Sequence, residues 1–430
     1  MVVLTRARGF VSLSGCMFLC ALLASCSSTS SGGDAGTSGQ GGSGGESGTG
    51  GTFEKSCLLE ENGAGPEGPL DLQVEVVANG LEVPWDIAFL PNGDMLVTER
   101  PGRLRLIRDG EIIPAPVLEV EVAEVEVFLG FEGGLLGVVL HPEFESNRLF
   151  YLYFTARTED DRVVNRIVRY TLSEDATSAD VDRVIVDDIE AGGHHQGGRI
   201  RIGPDGLLYA GAGAWEPPQS QDLESLAGKL LRMNLDGSIP ADNPDPSSLV
   251  FARGIRNTQG FDWLDDEHIL LIDHGPSGLE LDMPSLRGLD EVNVVKAGDN
   301  LGWAEIWGCT EREGMVSPIL TWVEAVPPAG AAIYTGTAIP QWTGSFMVTT
   351  LGSVGLSDGQ HLHRIALDPQ NPYMVQTHEV YLRQAYGRLR AAIMGPDGHL
   401  YITTSNCEQR GSVDDCPADK DAILRVVGAE

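Results

Sequence analysis

The chain has 430 residues, a hydrophobic content of 42% and 54 glycines, which allow either one large β domain or two to three smaller domains. Its formal net charge at pH 7 is −33. So acidic a surface argues against nucleic acid as a partner, because neutralising phosphates requires Lys and Arg. It also argues against docking on anionic lipid.

The N-terminus is typical of a bacterial export signal. Two arginines precede an apolar run at residues 11–23, which is too short for a membrane-spanning helix but suits a signal peptide. The sequence Leu-Ala-Ser-Cys ending at Cys26 resembles a lipobox, in which the cysteine is lipidated; an ordinary cleavage site is the alternative. Ser27 follows, which by lipoprotein sorting rules favours the outer membrane. We therefore expect a lipid anchor at Cys26 that attaches the protein to the bacterial outer membrane, facing the periplasm or the cell surface.

A segment rich in glycine, serine and threonine follows at residues 30–52. Such a composition cannot bury enough apolar surface to fold, so we interpret it as a flexible tether. The chain then divides into a signal peptide at 1–25, a lipidated tether with an N-terminal extension at 26–69, and a folded domain at 70–430.

The cysteines indicate disulfides. Of the seven, two lie in the predicted signal peptide and one is Cys26, which leaves four. An even number in an exported chain favours disulfides, and no CxxC spacing suggests zinc. Cys407 and Cys416, nine residues apart in a polar segment, are the natural pair, which leaves Cys57 and Cys309 by elimination.

One short pattern recurs after residue 70. A turn rich in Pro, Asp, Asn and Gly is followed by four or five apolar and β-branched residues, too few for a helix but suited to a buried inner strand. The copies lie at residues 90–99, 141–154, 203–213, 264–275, 341–352 and 395–405. Six copies predict an all-β fold, a six-bladed β-propeller. Because propeller loops surround one axis, residues distant in sequence can share a site.

Two groups of polar residues lie among glycines and are candidates for chemistry at that axis. His195, in GHHQGG, is the default general base because imidazole titrates near neutrality, although a lone histidine is more often structural. Arg256 and Asn257, in GIRNTQG, offer a cation and an amide. A salt bridge between blades is the alternative for this pair.

Two further groups suggest an anion and a cation as ligands. Arg388 and Arg390 alternate along a strand, which places them on one side of it, and two like charges side by side indicate an anion between them. The segments 273–278 and 289–293 supply carbonyl and carboxylate oxygens, the ligands that calcium takes. In so acidic a chain, solvated surface acids are the alternative.

Eight motifs in one order resemble the soluble PQQ-dependent aldose and glucose dehydrogenases, the glucose/sorbosone dehydrogenase family. They are GLEVPWDIAFLPNGDMLVTERPGRLRLI, GGLLGVVLHPEF, HHQGGRIRIGPDGLLY, GIRNTQG, HGP, DEVN, DNLGW and GRLR. The resemblance covers about residues 73–428. It implies a six-bladed propeller that binds pyrroloquinoline quinone (PQQ), oxidises aldose sugars and passes electrons to an external acceptor.

The resemblance also implies roles for single residues. His195 would take the proton of the sugar hydroxyl while hydride passes from the anomeric carbon to the quinone. Arg256 would stabilise the charge that grows on the quinone oxygen. The residues implied in cofactor binding are Glu132, Asn257, Arg388 and Arg390.

Two calcium sites are implied in the same way. The backbone carbonyls of Gly275 and Pro276 would hold a calcium ion that polarises the quinone. A second, structural calcium would be held by Asp290, Glu291 and the backbone of Leu301.

Three positions depart from the family pattern. Glu132 replaces a glutamine, His194 replaces an aspartate before the base, and Gly352 replaces a Lys or Arg. Two other functions stay open on the residues alone. One is a calcium-dependent propeller lactonase that uses Glu132 and Asn257, and the other is a non-catalytic ligand-binding propeller.

Overall fold

In a computed structural model of the protein, the described residues are 55–125, 131–276, 288–352, 359–407 and 421–429. The predicted signal peptide, Cys26, the glycine-rich tether and Cys416 lie outside them. Within these ranges, no helix is both long enough and apolar enough to cross a membrane.

Six four- or five-stranded sheets make up the described chain. Two N-terminal strands come first, β1 (Leu58–Glu60) and β2 (Leu72–Leu81). Blade 1 contains β3 (Pro84–Phe89), β4 (Met95–Glu99), β5 (Arg103–Arg108), β6 (Glu111–Ile112) and β7 (Leu118–Glu119). Blade 2 contains β8 (Leu135–Leu140), β9 (Leu149–Arg157), β10 (Val163–Leu172) and β11 (Ala179–Glu190). Blade 3 contains β12 (Ile200–Ile202), β13 (Leu208–Ala212), β14 (Lys229–Met233) and β15 (Val250–Arg253).

The second half of the chain repeats this arrangement. Blade 4 contains β16 (Gly260–Trp263), β17 (Ile269–Asp273), β18 (Asp290–Val295) and β19 (Leu320–Trp322). Blade 5 contains β20 (Pro328–Ile333), β21 (Phe346–Thr350), β22 (Leu362–Asp368) and β23 (Asn371–Tyr381). Blade 6 contains β24 (Leu389–Met394), β25 (Leu400–Thr404) and β26 (Asp421–Ala429). The short helices are an α-helix at Phe144–Asn147 and 3₁₀ helices at Pro217–Ser220 and Pro340–Trp342.

The blades close into a ring. First strands of neighbouring blades pack as β3 with β8, β8 with β12, β16 with β20, β20 with β24 and β24 with β3. Blades 3 and 4 meet where Nε of Arg199, directly before β12, donates to the carbonyl of Gln259, directly before β16, at 2.8 Å. The N-terminal strand β2 pairs with β26 as the outermost strand of blade 6, so the two ends of the domain are joined by hydrogen bonds. The predicted six-bladed β-propeller is confirmed.

The recurring sequence pattern marks one position in every blade. Its turn joins the first strand to the second, and its apolar run is the second strand: β4, β9, β13, β17, β21 or β25. The run is therefore second from the axis, whereas the innermost strand precedes the turn. Neighbouring blades cover both faces of this second strand, which explains why β4, β13, β17, β21 and β25 are buried at every residue.

Part of the N-terminal extension is built into blade 4. Strand β1 pairs in parallel with β19 at the edge of that sheet. Cys57, directly before β1, is bonded to Cys309, which confirms the pairing reached by elimination. Cys407 is also disulfide-bonded. Its predicted partner Cys416 lies outside the described residues, so that pairing stays a prediction.

A chain of three buried histidines crosses blade 5 toward this extension. The Nε2 atoms of His361 and His363 are 2.7 Å apart, and Nδ1 of His363 is 2.8 Å from Nε2 of His378. Nδ1 of His378 lies 3.7 Å from the carboxylate of Glu60 in β1. Burial lowers the pKa of His363 well below 6.5 and that of His378 to about 4, so these two rings are neutral at pH 7.

We expect this histidine chain to make the domain acid-sensitive. A histidine whose folded-state pKa is depressed leaves stability intact above its unfolded pKa near 6.5, and stability is lost as the pH falls toward the folded value. For His378 the loss between pH 6.5 and 4 should reach roughly 3 kcal/mol. Urea unfolding of the wild type and of His378→Gln, whose amide does not titrate, measures it. The variant should lose less stability over this window, and identical pH dependence in both proteins would contradict the assignment.

Candidate active site

Two sets of loops converge at one end of the propeller axis. One set leads into the innermost strands and the other leaves the second strands, so both lie at the end opposite the Asp-Gly turns. The candidates before innermost strands are Glu132, His195, Arg256, Asn257 and Arg388; those after second strands include Gly275, Pro276 and Gly352. Strand direction therefore brings together residues that are distant in sequence.

Glu132 is hydrogen-bonded to the backbone of the loop that carries His195. The amide of His195 donates to Oε2 of Glu132 at 2.9 Å, and the amide of Glu132 donates to the carbonyl of Gly193 at 3.3 Å. His195 has φ +62°, a left-handed conformation uncommon for residues other than glycine. The Glu132 carboxylate therefore helps to hold the strained backbone of the candidate base.

The glycine after the histidines is required by the chain packing. Gly197 has φ +64°, and a Cβ there would lie 2.3 Å from the carbonyl of Gly211. Its amide donates to Oδ1 of Asn257 at 2.9 Å. The glycine-rich composition around His195 thus allows two loops of the protein to approach closely.

The imidazole of His195 has a defined tautomer. Its Nδ1 lies 3.0 Å from the carbonyl oxygen of Ala214. Because a carbonyl only accepts hydrogen bonds, Nδ1 must carry the proton in the neutral ring, and Nε2 carries the lone pair. Nε2 has no hydrogen-bond partner among the described residues. It is therefore available to accept a proton from a ligand.

The surroundings of His195 favour its neutral form. Burial lowers its pKa well below 6.5, and the positive charge of Arg256 lowers it further, against the opposing hydrogen bond to Ala214. An imidazole that is neutral at pH 7 can act as a general base.

Arg256 is fixed between two neighbouring loops. Its amide donates to Oδ2 of Asp273 at 2.8 Å, and its carbonyl accepts from the amide of Ala214 at 2.8 Å. The guanidinium is buried and lies 5.3 Å from the ring centroid of Trp303. A cation is thereby held close enough to His195 to influence its pKa.

Asn257 links three loops. Its Oδ1 accepts from Gly197, and its Nδ2 lies 3.2 Å from Nδ1 of His274. Since the amide nitrogen can only donate, Nδ1 of His274 accepts, and Nε2 of that ring donates to the carbonyl of Pro328 at 2.8 Å. Burial, followed by the charge of Arg256, lowers the pKa of His274.

Arg388 and Arg390 use different partners. Arg388, half-buried before β24, donates to the carbonyls of Leu351 and Gly352 at 2.9 and 3.2 Å. Arg390 is buried and donates to Ser405 and Gln259, both at 3.0 Å. The register of β24 with β25 shifts between Leu389 and Ala392, so simple alternation does not describe this stretch.

Residues implied in calcium binding form hydrogen bonds with backbone amides of the protein. Asp290 accepts the amide of Gly275 at 2.9 Å and that of Val326 at 2.7 Å, one at each carboxylate oxygen. The carbonyl of Pro276 accepts from Gly288 at 3.1 Å. Within the described part of the chain, no group of three or more His, Cys, Asp or Glu residues could hold a metal ion.

The other two residues of the implied second calcium site also have separate partners. Oε1 of Glu291 accepts from the amide of Gly308 at 2.8 Å, and the amide of Leu301 donates to the carbonyl of Arg253 at 2.8 Å.

Several residues of the site escaped the sequence analysis. Ala214 acts through its backbone carbonyl, which no side-chain pattern can indicate. Asp273 and His274 lie in the segment 273–278, which the sequence indicated only as a source of calcium ligands, so their contacts to Arg256 and Asn257 were not expected. Trp215, exposed beside the histidines, had no signal in the sequence.

The fold and these contacts define a six-bladed propeller that brings the candidate residues together at one end of its axis, among them an imidazole whose Nε2 has no hydrogen-bond partner in the described part of the chain. The sequence profile of the Glucose / Sorbosone dehydrogenase family matches residues 81–413. The chain therefore belongs to the glucose/sorbosone dehydrogenase family, a family of oxidoreductases.

Individual relatives agree with this assignment. The aldose sugar dehydrogenase YliI of Escherichia coli is 30% identical over 361 residues, covering 78% of this chain and 91% of its own. An uncharacterised protein of Synechocystis, slr1608, is 33% identical over 367 residues, covering 78% and 84%. The PQQ-bound aldose sugar dehydrogenase of Streptomyces coelicolor is 32% identical with a TM-score of 0.69, covering 84% of this chain and 99% of that one.

We expect a proton titration of His195 to report the influence of Arg256. In a histidine-labelled sample studied by NMR, the midpoint for His195 should lie below 6.5, and Arg256→Gln should raise it because a nearby positive charge disfavours the imidazolium. Arg256→Lys is the matched control, since it retains the charge and should keep the midpoint low. A midpoint at or above 6.5 in the wild type would refute the assigned environment.

Proposed function

We propose that the protein is a PQQ-dependent dehydrogenase that oxidises the anomeric carbon of aldose sugars and passes the electrons to an external acceptor. The observation that carries the proposal is the state of His195. Its Nδ1 donates to the Ala214 carbonyl, its Nε2 is open, and burial, together with the charge of Arg256, keeps the ring neutral. A base with these properties suits removal of a hydroxyl proton.

The residues present fit PQQ, a flat quinone with three carboxylates. Arg256, Arg388 and Arg390 lie before or at the start of innermost strands, at one end of a chain whose net charge is −33. Guanidinium pairs with carboxylates in bidentate geometry. Asn257 adds an amide beside them. One carboxylate oxygen of Glu132 accepts the His195 amide. The main role of Glu132 would therefore be to position the base next to the cofactor.

The chain's own groups account for the proton in this reaction. Nε2 of His195 would take the proton of the anomeric hydroxyl as its oxygen becomes the carbonyl of the product lactone. PQQ, when bound, supplies the acceptor for the hydride that leaves the same carbon. The Arg256 guanidinium would stabilise the negative charge that develops on the acceptor oxygen. The imidazolium then returns its proton to solvent.

Calcium is part of the proposal as a bound ion only, without a step of the reaction assigned to it. The carbonyl oxygens of Gly275 and Pro276 are the groups that would hold it, and calcium binds such hard oxygen ligands. Asp290, which the resemblance implies for a second ion, accepts one backbone amide at each carboxylate oxygen, and the described residues contain no group of three or more His, Cys, Asp or Glu that could hold a metal. We therefore derive no step of the reaction through calcium.

Reconstitution tests the proposed function. Purified protein is mixed with PQQ, with or without calcium, and the reduction of an artificial acceptor is followed with a panel of aldoses. His195→Ala should lower turnover by about 10²- to 10⁴-fold, the usual contribution of a general base, while PQQ binding stays nearly intact. Arg256→Ala should impair both turnover and PQQ binding.

A matched control is His399→Ala. His399 lies in the turn before β25, at the opposite end of the propeller, and its removal should leave turnover unchanged. If the folded wild type binds PQQ and oxidises no aldose, or binds no PQQ at all, the proposal fails and the non-catalytic ligand-binding propeller becomes the better account.

We also propose that the domain works outside the cytoplasm, held to the outer membrane by a lipid on Cys26. Two sequence features support this: the lipobox-like sequence and the glycine-rich segment that follows it. Cys26→Ala should move the protein from the membrane fraction to the soluble fraction without loss of fold, because the propeller ring closes without this segment. Fractionation with immunodetection measures the shift, and continued membrane attachment of the variant would contradict lipidation.

A further inference from the structure

Trp215 is the one exposed tryptophan among the described residues, with 40% of its surface accessible. It lies in the loop between β13 and β14, directly after Ala214. The carbonyl of Ala214 orients His195, and its amide donates to the carbonyl of Arg256. The backbone on which Trp215 is mounted is therefore fixed to both residues of the proposed reaction.

The indole ring is held in place on one side. It stacks on His194 with centroids 5.7 Å apart and an interplanar angle of 19°. A Cβ on Gly192 would lie 2.2 Å from the ring, so the glycine allows the indole to pack against the backbone. His194 and Gly192 thus hold the ring, while 40% of the residue stays exposed. This is a rigid, open aromatic surface.

This surface lies near the candidate base. The rings of His194 and His195 are 6.2 Å apart, and the His194 ring stacks on the indole, so one imidazole links Trp215 to His195. Nε2 of His194 is buried and has no hydrogen-bond partner among the described residues. A ligand beside the base therefore meets the exposed part of the indole, with the His194 ring packed behind it.

A sugar ring matches these features. The face of a pyranose that carries axial hydrogens is apolar and packs against the electron-rich face of an indole, while its hydroxyls hydrogen-bond at the edges. We propose that Trp215 is the platform on which the pyranose ring of the aldose stacks while its anomeric end meets His195. The inference rests on the proposed function and names the residue that selects ring-form sugars.

Kinetics with D-glucose and maltose in the PQQ-loaded protein test the platform. Trp215→Ala should raise KM about three- to tenfold, the size of one aromatic contact, and should leave kcat within about twofold because the proton transfer is untouched. Trp215→Phe should restore most of the loss. Leu223→Ala is the matched control, an exposed apolar residue of the same loop, and should change neither constant.

A second measurement does not need turnover. Iodide quenches the fluorescence of exposed indoles, and glucose added to the PQQ-free protein should protect part of this emission in the wild type and not in Trp215→Phe. An unchanged KM for the sugar in Trp215→Ala overturns the inference. If that variant instead binds PQQ more weakly, and its KM for the sugar is unchanged at saturating PQQ, the ring contacts the cofactor and the inference is also wrong. If no aldose is oxidised, the proposed function fails separately, and the iodide result alone decides for or against the platform.

Discussion

Closure of the ring by β2 against β26 is the constraint on which the site depends. Each contact in the site joins loops of different blades or of different strands within a blade, and the ring fixes where all of these loops lie. Asp421, at the start of β26, accepts the amides of Val83, Asn406 and Cys407 and the hydroxyl of Thr404. One carboxylate thereby ties the last blade to the first at the same end as the candidate site.

The inner wall of the ring carries buried charge that is largely compensated. Asp86 of blade 1 accepts the amide of Val138 in blade 2 and faces the guanidiniums of Arg199 and Arg201 in blade 3. Burial opposes its ionisation, yet the two arginines hold its pKa below the ordinary value. Removing one member of so buried a group would leave uncompensated charge, which is strongly destabilising. Arg199 also packs on Trp85, with 4.4 Å to the ring centroid.

The site owes its chemistry to backbone groups as much as to side chains. A carbonyl oxygen sets the tautomer of His195, where the family pattern has an aspartate before the base. The Glu132 carboxylate is directed to a backbone amide, and Asn257 divides its amide between Gly197 and His274. The orientation of His195 therefore depends on the backbone conformation of these loops. Of the two departures at this place, Glu132 itself supplies the carboxylate that accepts the His195 amide, and His194 stacks on Trp215.

Sequence alone determined the repeating units of this protein. Turn chemistry and apolar runs recur with a local period, so they gave the number of blades, and the order of the motifs gave the family. The count of cysteines gave the Cys57–Cys309 bond. Only the tertiary structure decided which nitrogen of His195 is open, that Glu132 holds its backbone, that Arg388 and Arg390 use different partners, and that Trp215 is exposed beside the base. These properties depend on contacts between loops such as Gly197 and Asn257, 60 residues apart, whose positions follow from strand direction and ring closure and leave no local pattern in the chain.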